Sequence, residues 1–162
     1  TMSVGIKYGT FSALAGIIIF LISVVLNLNP MQGASSWISI GVSIVLLVLA
    51  HKSFKDAGDG FMSYGQGIGI GFWYTIVSSL ISILIMYVYM TFIYTAAMDN
   101  VFEQQVLKME EQGQSEEAIA VAMEWTKKLF WPFAIGGSIF GGMIIALIVT
   151  IFTQKKNPDP IF

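Results

Sequence analysis

The sequence predicts an all-α integral membrane protein: a bundle of four transmembrane helices, with an amphipathic helical hairpin outside the membrane between the third and fourth helices. Hydrophobic residues make up 56% of the chain and charged residues only 11%, whereas soluble domains average about 25% charged residues. Four long apolar segments contain no Asp, Glu, Lys or Arg, and most of the carboxylates lie together in one segment. We therefore expect a single transmembrane domain over residues 1–162, with the lipid bilayer as its main partner.

The four uncharged segments are long enough to cross a hydrocarbon core, which requires about 20 apolar residues. They cover residues 8–28, 34–50, 68–97 and 130–152. The first could instead be the core of a signal peptide, but it is longer than the usual apolar core of about 7–15 residues. The second is the shortest, and Trp37 and Lys52 suit its two membrane interfaces. The third would form about 45 Å of helix, so we expect it to tilt, bend or protrude.

The lysines predict the orientation of the spans. If the chain crosses the membrane four times, five lysines fall on one side: Lys7, Lys52, Lys55, Lys155 and Lys156. The opposite side receives three lysines and seven carboxylates within residues 98–129. The positive-inside rule then places both termini in the cytoplasm and the acidic segment outside.

The segment 98–129 has the pattern of two amphipathic helices. Asn100 and Glu103 have the spacing of a capping box, Gly113 can end the first helix, and Ser115 can cap the second. Apolar stripes follow at helical spacing: Phe102, Val106 and Met109, then Ile119, Met123, Thr126 and Phe130. We expect these stripes to pack against each other, against the outer ends of the spans or against the lipid interface.

Small residues recur at helical spacing in three of the spans, and in lipid such residues let helices approach closely. The predicted helix-packing residues are Gly9, Ala13 and Gly16 in the first span, Gly67, Gly71, Thr75 and Ser79 in the third, and Gly137 and Gly141 in the fourth. We interpret them as helix contacts rather than as the lining of a pore.

The residues needed for catalysis or metal binding are sparse. The chain has no cysteine and one histidine, His51, next to Lys52, where an interfacial position is expected. One histidine cannot form a metal site or a catalytic triad without suitable neighbours, and the glycines from Gly65 to Gly71 lack the G-x-G-x-x-G spacing. The glutamates around Gly113 resemble a solvated turn rather than a calcium loop. We therefore expect no enzyme activity, cofactor or metal, and the net charge of −2 argues against nucleic acid.

Two stretches carry a family resemblance: Phe54-Lys55-Asp56 with residues 60–66, and residues 109–117. Together with the four-span arrangement they resemble a family of small bacterial membrane proteins catalogued as domain of unknown function 4199. The resemblance covers nearly the whole chain. It implies a bacterial inner-membrane location and four spans, but it assigns no activity, substrate or functional residue.

Two functions fit this sequence. The first is a non-enzymatic accessory or scaffolding subunit that packs against itself or against other membrane proteins, which agrees with the small-residue faces and the uncharged spans. The alternative is an oligomeric transporter or channel for a neutral or lipid-like small molecule, lined by the hydroxyl groups of the third span. Four helices are few for a pathway through one chain, so this alternative requires oligomerisation.

Overall fold

The computed structural model describes residues 1–26 and 33–158, which form five α-helices. They are α1 (Met2–Val25), α2 (Ala34–Asp56), α3 (Tyr64–Val88), α4 (Ala96–Glu111) and α5 (Glu116–Thr153). Within these two ranges no strand forms, and the only β-type pairing is an isolated antiparallel bridge between Met62 and Lys155. The predicted all-α class is confirmed. The predicted end of the first span, residues 27–28, and the turn after it lie outside the described residues.

Four of the helices have the length and composition of membrane spans, as the sequence predicts. They are Met2–Val25, Ala34–Asp56, α3 continued to Ile93, and Glu116–Thr153. Each contains an 18-residue window with a mean hydropathy of 1.9 to 2.3. Large apolar side chains remain exposed along these helices, as expected where lipid rather than water surrounds the protein.

The third span changes its helical geometry near its end. Regular α-helix stops at Val88, and Tyr89–Ile93 continue as a π-helix before α4 begins at Ala96. A π-helix shifts hydrogen bonds from four to five residues along the chain, and such segments often mark an irregularity in a long helix. The long third segment therefore changes from α-helical to π-helical geometry, and a separate helix, α4, follows it.

Helix α4 and the first part of α5 form the two helices of the predicted hairpin. Gly113 has a φ of +75°, the left-handed conformation that glycine adopts readily after a helix end. The Ala118 amide donates to Ser115 Oγ at 3.3 Å, so Ser115 caps α5 as predicted. The helix α4, however, starts at Ala96, and Asn100 lies inside it with its side-chain amide donating to the Tyr94 hydroxyl. The predicted capping box at Asn100 is therefore not the start of this helix.

Helix α5 combines the second hairpin helix and the fourth span in one element of 38 residues. At a rise of 1.5 Å per residue it is about 57 Å long, well beyond a hydrocarbon core of about 30 Å. Its charged residues all lie between Glu116 and Lys128, and residues 129–153 are uncharged. The uncharged part alone is long enough to cross a membrane.

The chain divides into two compact units. The first comprises Thr1–Ser82 and Ser138–Phe162, and the second comprises Ile83–Gly137. The core of the first unit contains Leu47, Tyr74, Ala146 and Val149, with Ala50, Met62 and Ile70 beside the ends of the helices. In the second unit, Phe102 and Phe130 pack edge to face with ring centres 5.7 Å apart, so the two apolar stripes of the hairpin meet each other.

Candidate functional site

Two glycines bring α1 into direct contact with the backbone of α3. A Cβ atom added at Gly9 would lie 2.6 Å from the Tyr74 carbonyl oxygen and 3.1 Å from the Tyr74 Cα. One added at Gly5 would lie 2.6 Å from the Ile70 carbonyl oxygen. Real Cβ atoms do not approach other heavy atoms this closely, and backbone cannot swing aside as a flexible side chain can. The separation of α1 and α3 therefore depends on the absence of side chains at these two positions.

An adjacent face of α3 approaches α5 in the same way. A Cβ atom at Gly71 would lie 2.5 Å from the Ala146 Cβ, and one at Gly67 would lie 2.5 Å from the Thr150 Cγ2. On α5, a Cβ atom at Gly142 would lie 2.5 Å from the Thr75 Cγ2. Both threonines are buried and, being β-branched, have few alternative rotamers. Small residues on both helices therefore define this contact.

The structure places the other predicted helix-packing residues in two groups. Ala13 and Ser79 are buried, like Gly9, Gly67, Gly71 and Thr75. Around Gly16, Gly137 and Gly141 no atom of the described residues lies within 4 Å of an added Cβ. Gly5 and Gly142 complete the contacts but were not among the predicted residues. On α5 the contact falls at Gly142, one position beyond Gly141, and the repeated small residues there do not reveal which of them faces α3.

A hydroxyl cluster joins three helices in the middle of the first unit. The Tyr74 hydroxyl on α3 donates to the Ser43 carbonyl oxygen on α2 at 2.8 Å, and the Ser43 Oγ lies 2.9 Å from the same hydroxyl. Because the Tyr74 proton is already used, the Ser43 hydroxyl donates to the Tyr74 oxygen. The Ser12 Oγ on α1 lies 3.5 Å from the Ser43 Oγ. Hydrogen bonds of this kind link helices where no water is available.

His51 is fully buried at the end of α2, where the sequence suggested an interfacial position. Its Nε2 lies 3.1 Å from the Gly67 carbonyl oxygen and its Nδ1 lies 2.7 Å from the Thr153 Oγ1. A carbonyl oxygen only accepts, so the Nε2 carries a proton and donates it. The imidazole thus links α2 to both α3 and α5. Its contact with α3 is made at the backbone carbonyl of Gly67, a residue that also packs against Thr150 of α5.

The segments around His51 are tied together by backbone and lysine contacts. The Lys55 ammonium donates to the Thr153 carbonyl oxygen at the end of α5 at 2.9 Å, where the helix dipole favours a positive charge. Met62 and Lys155 exchange two backbone hydrogen bonds, of 2.8 and 2.9 Å. This pairing fixes the chain entering α3 against the chain leaving α5.

These polar groups link helices within the first unit. Within residues 1–26 and 33–158 no three His, Cys, Asp or Glu side chains lie close enough to hold a metal ion. Every buried side-chain nitrogen and oxygen atom in those residues has a hydrogen-bond partner. The candidate site is the contact region of α3 with α1, α2 and α5, where the close backbone approaches and the hydrogen bonds between helices occur.

The contact between Gly9 and Tyr74 can be tested with two matched substitutions on α1. Gly9→Ala should lower stability by about 1–3 kcal/mol, because the added methyl group forces two backbones apart. Gly16→Ala introduces the same methyl group where none of the described neighbours lies within 4 Å, so it should leave stability unchanged or raise it through helix propensity. Thermal unfolding in detergent, followed by fluorescence-detected size-exclusion chromatography, measures both. Equal midpoints for the two variants would contradict the described contact.

The His51 link can be tested with a double-mutant cycle. His51→Leu removes the hydrogen bonds to Gly67 and Thr153 and should lower stability by about 1–2 kcal/mol, whereas His51→Gln keeps an amide donor and should lose less. Thr153→Val removes only the hydroxyl group. If the two side chains contact each other, the effects of His51→Leu and Thr153→Val should be non-additive by at least about 0.5 kcal/mol. Strict additivity of the two losses would show that the contact is not made.

Comparison with known proteins gives one match. No curated protein and no solved structure matches the chain. Residues 7–155 match the profile of a family described as protein of unknown function (DUF4199). This match covers nearly all of the four helices whose contacts are described above, and it agrees with the resemblance carried by the two sequence stretches. The chain belongs to the DUF4199 family of proteins of unknown function.

Proposed function

We propose that this protein is a non-enzymatic accessory or scaffolding subunit of a membrane protein complex, and that it contributes a tightly packed helix bundle to which other membrane helices bind. The observation that supports this most strongly is the division among its small residues. Contacts between helices of the chain are made at Gly5, Gly9, Gly67, Gly71 and Gly142. In contrast, Gly16 on α1 and Gly141 on α5 have no neighbouring helix of the described residues against them. Open small residues on a membrane helix are where another helix can approach closely.

The surroundings of Gly141 support a contact with another helix. Its neighbour Phe140 is 70% exposed and Ile144 is 43% exposed, so a small residue lies between large apolar side chains on one part of α5. A partner helix could place its own side chains into this depression, and dispersion contacts with Phe140 and Ile144 would then add to the close backbone approach. The partner is a second copy of the chain or another membrane protein.

The alternative, an oligomeric transporter or channel for a neutral or lipid-like molecule, receives less support. It requires the hydroxyl groups of the third span to face a passage. Tyr74, Thr75 and Ser79 are all buried, and Tyr74 is hydrogen-bonded within the chain. A passage would therefore have to form at contacts between chains, lined by the exposed hydroxyl groups of this span, such as those of Ser82, Tyr87 and Thr91.

We further propose that the protein lies in the bacterial inner membrane with both termini in the cytoplasm and the hairpin of α4 and early α5 outside. The lysine distribution supports this orientation. A cysteine introduced at Ser63 should then be protected from an impermeant thiol reagent in intact cells, whereas one at Gln114 should react once the outer barrier is opened. The native chain contains no cysteine, so each variant carries one reactive thiol. Reaction of both positions from the same side would contradict the arrangement.

The proposed role can be tested with adjacent glycines on α5. Gly141→Leu should leave the bundle folded, because no neighbouring atom in the described part of the chain lies within 4 Å of its added Cβ, but it should block close approach by a partner helix. Gly142→Leu adds the same side chain one residue away and should destabilise the bundle itself through its clash with Thr75. Affinity purification in mild detergent, with quantification of co-purifying proteins and light scattering for self-association, measures the outcome. Native partner stoichiometry in the Gly141→Leu variant would contradict a docking role for this position.

A further inference from the structure

An open groove lies between α1 and α2 at the charged end of α2. Its volume is about 430 Å³, and it is lined by Tyr8 from α1 and by Leu49, Lys52, Ser53, Asp56 and Ala57 from α2 and its end. Leu49, Lys52 and Asp56 follow one another at intervals of three and four residues, with Ser53 four residues after Leu49, so they lie along one face of the helix. The groove therefore presents an apolar side chain at one end and charged side chains towards the other.

The groove contains two charged side chains, Lys52 and Asp56, and both are exposed. Among residues 1–26 and 33–158, neither the Lys52 ammonium nor the Asp56 carboxylate takes part in a salt bridge, although they are four residues apart on α2. The Lys7 ammonium lies close by, 5.8 Å from the centre of the Tyr8 ring. A positive and a negative group thus stand side by side in an open groove, with a second positive group next to it.

The groove lies where α2 leaves its uncharged segment. No charged residue occurs from Ala34 to Ala50, and Lys52, Lys55 and Asp56 follow directly. Such a change from apolar to charged residues marks the boundary between hydrocarbon and headgroups. Leu49, which is 42% exposed, then lies on the hydrocarbon side, and Lys52 and Asp56 lie at the level of the lipid headgroups.

We propose that this groove binds the headgroup of a zwitterionic phospholipid with a primary ammonium, of the phosphatidylethanolamine type. The phosphate pairs with the Lys52 ammonium, with Lys7 adding to the positive potential. The lipid ammonium donates to the Asp56 carboxylate near the C-terminal end of α2, where the helix dipole also favours a cation. The acyl chain beyond the phosphate lies over Leu49.

The order of the charges selects this headgroup over two others. A phosphatidylcholine headgroup has the same net charge, but its trimethylammonium has no N–H group to donate to Asp56. A phosphatidylglycerol headgroup offers the phosphate to Lys52 but brings only neutral hydroxyl groups to Asp56, whose carboxylate would then face a negatively charged lipid without a cation. Hydrogen bonds to charged groups are the stronger ones, so the selectivity should arise at Asp56 and the phosphate affinity at Lys52.

Native mass spectrometry of the full chain, delipidated in detergent and titrated with each of the three lipids, tests the proposal. The native protein should bind phosphatidylethanolamine about tenfold more tightly than phosphatidylcholine or phosphatidylglycerol, as expected for one charge-assisted hydrogen bond. Asp56→Asn should remove that preference while keeping phosphatidylglycerol binding. Lys52→Gln should weaken binding of all three lipids.

Lys156→Gln is the matched control, because it removes the same charge outside the groove and should leave all three affinities unchanged. Lys52, Asp56 and Lys156 are all exposed, so the variants should fold, and their thermal midpoints verify this. The proposal is overturned if the native protein binds the three lipids equally. It is also overturned if Lys156→Gln weakens binding as much as Lys52→Gln does. Neither result depends on whether the protein has a scaffolding role.

Discussion

The structure depends above all on the close approach of α3 to its neighbours, which only small residues allow. Gly5 and Gly9 meet the α3 backbone from α1, and Gly71 meets Ala146 of α5. In lipid, burying apolar side chains brings little gain over exposing them to acyl chains, so helices associate through packing and hydrogen bonds. Packing at this distance brings many atoms into van der Waals contact at once. The close contacts therefore replace the hydrophobic driving force of a soluble core.

The hydrogen bonds between helices follow from that spacing. The Tyr74 hydroxyl reaches Ser43 from a residue whose backbone lies against Gly9, and His51 reaches the Gly67 carbonyl where α3 carries no side chain. In an apolar medium an unpaired polar group is costly. A shift of either helix along its axis would break these hydrogen bonds, so each bond also fixes the register of the helices that it joins. Close packing and buried hydrogen bonds thus specify the same arrangement.

Sequence patterns predict the parts of this fold that depend on composition and local chemistry. The four spans follow from uncharged apolar segments, and the turn between α4 and α5 follows from Gly113 and Ser115. The patterns do not distinguish Gly141 from Gly142, because neighbouring small residues differ only in which helix face they occupy. The burial of His51 also escapes prediction, since its partners Gly67 and Thr153 are distant in sequence. Helix α4 starts before Asn100, so a residue pattern that is typical of a helix start can also occur inside a helix.

The most direct test of the central contact uses the absence of cysteine in the native chain. A Cβ at Gly142 would lie 3.4 Å from the Thr75 Cβ, close to the spacing of about 3.5–4.5 Å found in disulfides. The double variant Thr75→Cys with Gly142→Cys should therefore form an intramolecular disulfide on mild oxidation in membranes. Both positions should then resist alkylation even after the protein is unfolded in denaturant, as counted by mass spectrometry. The pair Thr75→Cys with Gly141→Cys should remain alkylated at both positions. Full alkylation of the first pair after oxidation would contradict the account of how α3 and α5 meet.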